Sequence, residues 1–225
     1  MSGSADVWAV LPVKEVAAAK QRLAPVLHAA ARRALALAML EDVLAALAAA
    51  PGLAGLLVVT VDIEAARLAA RYGGRCLADG ARDGHTGAVM AAARRLAAEG
   101  RAGMLAIPGD IPLVTAEEIG QVLTAHGPAP AFTIVPAHDE LGSNAVLCSP
   151  PDAVPLRFGE NSYFPHLRAA EACGIRPQVV RLPGIALDID NPADLARFAR
   201  LSSATRSRAL LLEENAMLPA DFAAE

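Results

Sequence analysis

Apolar residues along this chain keep two rhythms. Short, almost unbroken apolar runs occur at 7–13, 56–60, 104–107, 132–135, 145–148 and 179–182, and each predicts a buried strand. Between them lie alanine-rich stretches with helical spacing. Helices are predicted at 30–50, 63–72 and 87–99, and each stops at glycine: Pro51-Gly52, Gly73-Gly74 and Gly100. Thr115 with Glu118 has the spacing of a capping box, and Asn191 followed by Pro192 supplies an N-cap and a first-turn proline for a helix to about residue 201. Strands alternating with helices predict a mostly parallel central sheet covered on both faces, a three-layer α/β sandwich. Residues 1–202 form a single domain on this pattern. Residues 203–225 have no clear rhythm and are either a loose tail or carry a final helix near 207–214.

Composition narrows the function. With 225 residues, 54% hydrophobic and 20% charged, the chain can bury a large core. A net charge of −4 provides no broad basic field, so neither nucleic acid nor an anionic membrane is an expected partner. The expected partner is a small molecule, and the apolar excess is compatible with a homodimer. Cys76, Cys148 and Cys173 are odd in number and lack metal-binding spacing, as in a reducing cytoplasm. The first fourteen residues lack the basic-then-apolar order of an export signal. Residues 43–61 carry no charge, but Pro51-Gly52 divides them into helix, break and strand.

In parallel sheets ligands collect at the carboxyl ends of strands, where helix N-termini converge. Asp110 follows such a strand in "IPGDIPLVTAEEI", although a turn-forming aspartate after Pro-Gly is the competing reading. Asp188 and Asp190 follow another apolar run, and on a strand their alternation would put both carboxylates on one face. Acids from two strand ends suit Mg2+, a hard cation that keeps sites open for phosphate. Asp110, Asp188 and Asp190 are the candidate ligands, with Asp188 preferred over Asp190, which also stands at a helix start. Lys14, Lys20 and Arg22 in "LPVKEVAAAKQRLAPVL" could grip a triphosphate or form a solvated basic loop. Walker and dinucleotide glycine patterns are absent, which disfavours P-loop hydrolysis and hydride transfer.

Those two stretches, with "LGSNAVLCSPPDAVPLRFGENSYFPHLRAA" and "VRLPGIALDIDNPADLARF", resemble the guanylyltransferases of coenzyme F-420 biosynthesis, the CofC/FbiD family. The resemblance spans roughly residues 7–201, in order. It implies a fold of the sugar-nucleotide transferase type and transfer of a guanylyl group from GTP to 2-phospholactate, phosphoenolpyruvate or 3-phosphoglycerate, with pyrophosphate released. By motif, it implies that Asp110 and Asp188 hold magnesium and that Ser143, Gly159 and Ser162 receive the acid's carboxylate, chiefly through backbone N–H groups. Family members commonly read Gly-Leu-Asn where this chain has "DGHTGAVMAAARRL", so His85 and Thr86 are the residues expected near the base. The attacking phosphate oxygen is already ionised at neutral pH, so no general base is needed. Two other readings remain open: a nucleotidyltransferase acting on a sugar phosphate or pterin cofactor, and a GTP-binding protein without catalysis.

Overall fold

The computed structural model of the chain describes residues 6–16, 19–159 and 161–214. The start of the leader reading and the end of the tail lie outside them. The strands are β1 (Val7–Pro12), β2 (Leu53–Val59), β3 (Arg75–Leu77), β4 (Gly103–Ala106), β5 (Ala131–Pro136), β6 (Ser143–Ser149) and β7 (Gln178–Val179). The helices are α1 (Ala29–Ala49), α2 (Ile63–Arg71), α3 (Gly84–Ala98), α4 (Ala116–Ala125), α5 (Tyr163–Ala172), α6 (Pro183–Ala186), α7 (Pro192–Arg200) and α8 (Arg206–Glu214). Strands order as β3-β2-β1-β4-β6-β5-β7, with β6 antiparallel to both neighbours and the other pairings parallel.

The near-continuous apolar runs follow from burial on both faces. In β1, Val7, Ala9 and Leu11 face α1, α2 and α4, while Trp8 and Val10 face the layer containing α3 and α5. Helix α1 is apolar around much of its circumference because it is covered twice. Leu40, Val43, Leu44 and Leu47 meet the sheet, whereas Ala31, Leu35 and Met39 meet a third cluster with Leu195, Phe198 and Leu211 of α7 and α8. Truncating a side chain such as Leu44, fully buried, to alanine removes contacts worth about 2–5 kcal/mol.

Several expectations shift. The tail resolves in favour of a final helix, since α8 packs on α1 and its Ser207 is fully buried. The predicted strand 179–182 is only two residues long as β7, because Leu182 caps α6 and Pro183 occupies its first turn. A Cβ at Gly184 would come within 2.4 Å of both Glu118 Oε2 and the Leu113 carbonyl, so close packing against α4 requires glycine there. Helix α3 starts at Gly84, not residue 87, and Gly87 lies inside its first turn, where a Cβ would meet Asp83 Cβ at 2.3 Å. The edge strand β3 escapes the apolar pattern because "RCL" is short and largely exposed. Asp188 and Asp190 lie in an irregular extended segment rather than a strand, joined to the Asp110 loop by Ile189 N–H donating to the Asp110 carbonyl.

Candidate active site

Connections from β1 run through α1 to β2 on one side, while the chain returns through α3 to β4 on the other, so the sheet reverses its winding between β1 and β4. Loops separate at such a point and leave a crevice. Two adjoining cavities, about 830 and 850 Å3, open there. Both are lined by Lys14, Arg22, His85, Asp110 and Asp190. The first continues over Ser143, Gly159, Ser162 and Asp188, and the second over Lys20, Met39 and Leu40.

The acids reach the crevice by different routes. Pro108-Gly109 carries the chain off β4 to Asp110, while Ile111 returns to the core. Asp190 immediately precedes the N-cap Asn191, and the Asp194 carboxylate accepts the N–H groups of both Asp190 and Asn191, pinning that backbone. Lys20, in the left-handed region at φ 54°, precedes a short 3-10 turn, Gln21–Leu23, whose fully buried Leu23 anchors the loop in the third cluster. This anchor holds the Lys20 ammonium 2.6 Å from Asp110 Oδ2 and 2.7 Å from Asp190 Oδ1. Arg22 Nη1 lies 3.9 Å from Asp190.

Lys20 is therefore an inner cation between the acids, with a side chain only 10% exposed. Burial opposes its charge, but the two carboxylates outweigh burial and raise its pKa above the ordinary lysine value. Burial likewise opposes ionisation of Asp110, and Lys20 overcomes it, holding that carboxyl below the usual range. Asp188 differs. Burial and the nearby Asp110 and Asp190 charges push its pKa up, partly offset by the Asn144 side-chain amide, which donates to Asp188 Oδ1 at 3.0 Å. Asn144 also donates to the carbonyls of Ile185 and Ala186, so β6 fixes the whole acid-bearing segment.

Hard oxygen donors of the kind magnesium takes converge at the acid cluster. One cation already sits within 2.7 Å of two carboxylates from separate loops, and Asp188 supplies a third hard oxygen donor nearby. Among the described residues no group of three or more His, Cys, Asp or Glu is arranged to hold a metal ion, and the Lys20 ammonium fills the space between Asp110 and Asp190.

Across the cavity, the strand and helix ends bring Ser143, Gly159 and Ser162 together. Ser162 precedes α5, whose first turn keeps few free N–H groups, since Tyr163 N–H donates to the Leu141 carbonyl and Pro165 has none. Its hydroxyl donates to Ser143 Oγ at 3.2 Å instead of capping α5. Gly159 has φ 150°, a conformation open to glycine. Thr86 ties α3 to the same loop, its hydroxyl donating to the Phe158 carbonyl and accepting the Phe158 N–H. His85 lies against Phe158 with ring centroids 4.6 Å apart, and burial lowers its pKa, partly offset by Asp110. Of the expected base-side pair, His85 borders both cavities and Thr86 only the first, where it is committed to the FGENS loop. Lys14 is exposed at the shared rim.

Two residues escaped the sequence reading. Asn144 is a polar interruption at the start of an apolar strand, and His166 stands four residues after Ser162, the spacing that shares one helical face. His166 is buried, with its pKa pushed down to about 4 by burial and by His85. Cys76, Cys148 and Cys173 are free thiols, and no described helix is long and apolar enough to cross a membrane.

The mostly parallel sheet, its reversal at β1 and β4 and the acid-bearing crevice define an α/β protein of the nucleotidyltransferase fold. A crystal structure assigned to the nucleotide-diphospho-sugar transferases from Desulfovibrio desulfuricans G20 aligns with TM-score 0.74 at 20% identity, covering 94% of this chain and 96% of that one. A nucleotidyl transferase from Methanothermobacter thermautotroptrophicus aligns with TM-score 0.63 at 19% identity, covering 87% and 96%. The model of the guanylyl transferase CofC like family matches residues 7–213, and the chain belongs to that family. Among similar proteins, a phosphoenolpyruvate guanylyltransferase from Rubrobacter xylanophilus is 41% identical over 85% of this chain and 93% of its own. A 3-phospho-D-glycerate guanylyltransferase from Colwellia psychrerythraea is 38% identical over 86% and 91%.

Proposed function

We propose that the protein is a cytoplasmic guanylyltransferase of coenzyme F-420 biosynthesis that joins GTP to a phosphorylated three-carbon acid and releases pyrophosphate. The observation that carries this reading is the pair of cavities meeting at Asp110, Asp190 and their bridging Lys20, with room for a nucleotide on one side and a small acid on the other. A phosphate oxygen of the acid attacks the α-phosphorus, a new P–O bond forms, and the bond from that phosphorus to the pyrophosphate oxygen breaks. The attacking oxygen is ionised at neutral pH, so the chain supplies alignment and charge neutralisation rather than a base. Lys14, Lys20 and Arg22 offset charge on the phosphates, with Lys20 turning from the acids toward the nucleotide. Ser143, Gly159 and Ser162 receive the carboxylate.

A magnesium ion held by Asp110, Asp188 and Asp190 once Lys20 turns away would neutralise phosphate oxygens. The test is pyrophosphate release across four nucleoside triphosphates and four acceptors, phosphoenolpyruvate, 2-phospholactate, 3-phosphoglycerate and a sugar phosphate, with magnesium omitted or supplied. GTP with one of these acids is expected to outpace the other combinations. Equal rates with a sugar phosphate would move the chain to another nucleotidyltransferase class, and binding without release would leave a non-catalytic GTP-binding protein.

A further inference from the structure

We infer that His166 is a positioning residue that makes Ser143 a hydrogen-bond donor toward the acceptor's carboxylate. This deepens the reading above and rests on the acid occupying the Ser143–Ser162 cavity. Three hydrogen bonds set the proton pattern. The backbone N–H of Arg157 donates to His166 Nε2 at 3.0 Å, and because a backbone amide only donates, Nε2 carries no proton. A neutral imidazole then holds its proton on Nδ1, which is 3.0 Å from Ser143 Oγ and donates to it. Ser162 Oγ also donates to Ser143 Oγ.

Ser143 thus accepts two hydrogen bonds, which uses both lone pairs of its oxygen. Its own hydroxyl proton has no acceptor among these three groups, and Ser143 borders the cavity with Ser162 and Gly159. A ligand atom meeting this hydroxyl must accept a hydrogen bond, as a carboxylate oxygen does and a ligand N–H does not. His166 is well held for the task. It lies one helical turn after Ser162, its backbone N–H donates to the Ser162 carbonyl, and its ring packs edge-on to Phe158 with centroids 4.9 Å apart. Imidazole protonation would place a second N–H against Arg157 N–H and break the arrangement.

Three variants separate this role from packing. In H166Q the amide oxygen can still accept from Arg157 but the donor to Ser143 is lost, whereas H166N keeps an amide donor where Nδ1 stood and loses the Arg157 link. H166Q is expected to raise KM for the acid about tenfold with KM for GTP within about twofold, as for one charge-assisted hydrogen bond. H166N is expected to recover most of that loss, and S143A/H166Q to be no worse than S143A alone. Equal acid KM in wild type and H166Q, or equal losses in H166N and H166Q, would overturn the inference. Nitrogen-15 NMR of the wild-type imidazole tests the tautomer independently of activity: protonated Nδ1 is expected, and protonated Nε2 would overturn it. Wild-type inactivity with all three acids would sink the proposed acceptor and the acid-binding role of Ser143 together; an active wild type with unmoved variants would sink this inference alone.

Discussion

At the scale of single residues, the decisive contact is the Lys20 ammonium shared by Asp110 and Asp190. Asp110→Asn preserves turn-forming chemistry but removes one of the two charges facing Lys20 and a candidate magnesium ligand. Transfer is expected to fall about 100-fold or more, equivalent to roughly 2.7 kcal/mol of barrier. Pyrophosphate release measured over a magnesium titration checks this, and a normal rate with normal magnesium dependence would show the site to be misplaced. Lys20→Ala leaves the two carboxylates facing each other and removes a cation beside the nucleotide cavity. KM for GTP is expected to rise about tenfold. An unchanged value in steady-state kinetics would confine Lys20 to a structural ion pair. Asp110 was visible in sequence because a charge interrupted an apolar run after Pro-Gly. Its pairing with Lys20 was not, since the two residues are ninety positions apart and meet only when Leu23 anchors the loop.

At the scale of elements, α8 depends on one carboxylate in the middle of α1. Asp42 Oδ1 accepts the Arg206 N–H, and Oδ2 accepts both the Ser207 N–H and hydroxyl, the latter at 2.6 Å. These bonds satisfy donors at the start of α8 that would otherwise be orphaned. Asp42→Ala leaves them buried without an acceptor, at a cost of about 1–3 kcal/mol. A Tm lower by several degrees and faster proteolysis near residues 203–214 are expected, with kinetic constants at 20 °C within about twofold of wild type. Unaltered Tm and proteolysis would show that Asp42 does not hold this helix. Periodicity placed α1 and α2 closely because their apolar positions face the sheet, and the Thr115–Glu118 spacing marked where α4 begins, but neither signal could reveal that α1 also serves as a platform for α8.

At the scale of the whole molecule, two histidines join elements as neutral groups. His126 bridges β5 and β6 through Thr133 and Ser149, at 2.8 and 3.0 Å, and burial pushes its pKa down to about 4. His166 is depressed to about 4 as well. Above pH 6.5 both are neutral whether folded or unfolded; below it the unfolded chain binds protons that the folded chain resists, so stability falls between about pH 6.5 and 4. Each histidine adds a slope of up to about 1.4 kcal/mol per pH unit. Urea midpoints at pH 7 and pH 5 check this, and His126→Gln is expected to reduce the difference between them. An identical difference in wild type and variant would remove His126 from the account. Sequence alone determined the layered α/β class, most element positions and the acid that follows β4, because burial periodicity and turn chemistry act over neighbouring residues. Tertiary structure alone decided that Lys20 sits between Asp110 and Asp190, that Asn144 fixes Asp188, and that His166 directs the Ser143 proton. Those contacts join residues 23 to 170 positions apart, or depend on a lone-pair count, and hydrogen bonds and ion pairs act over a few ångströms that only the folded chain brings about.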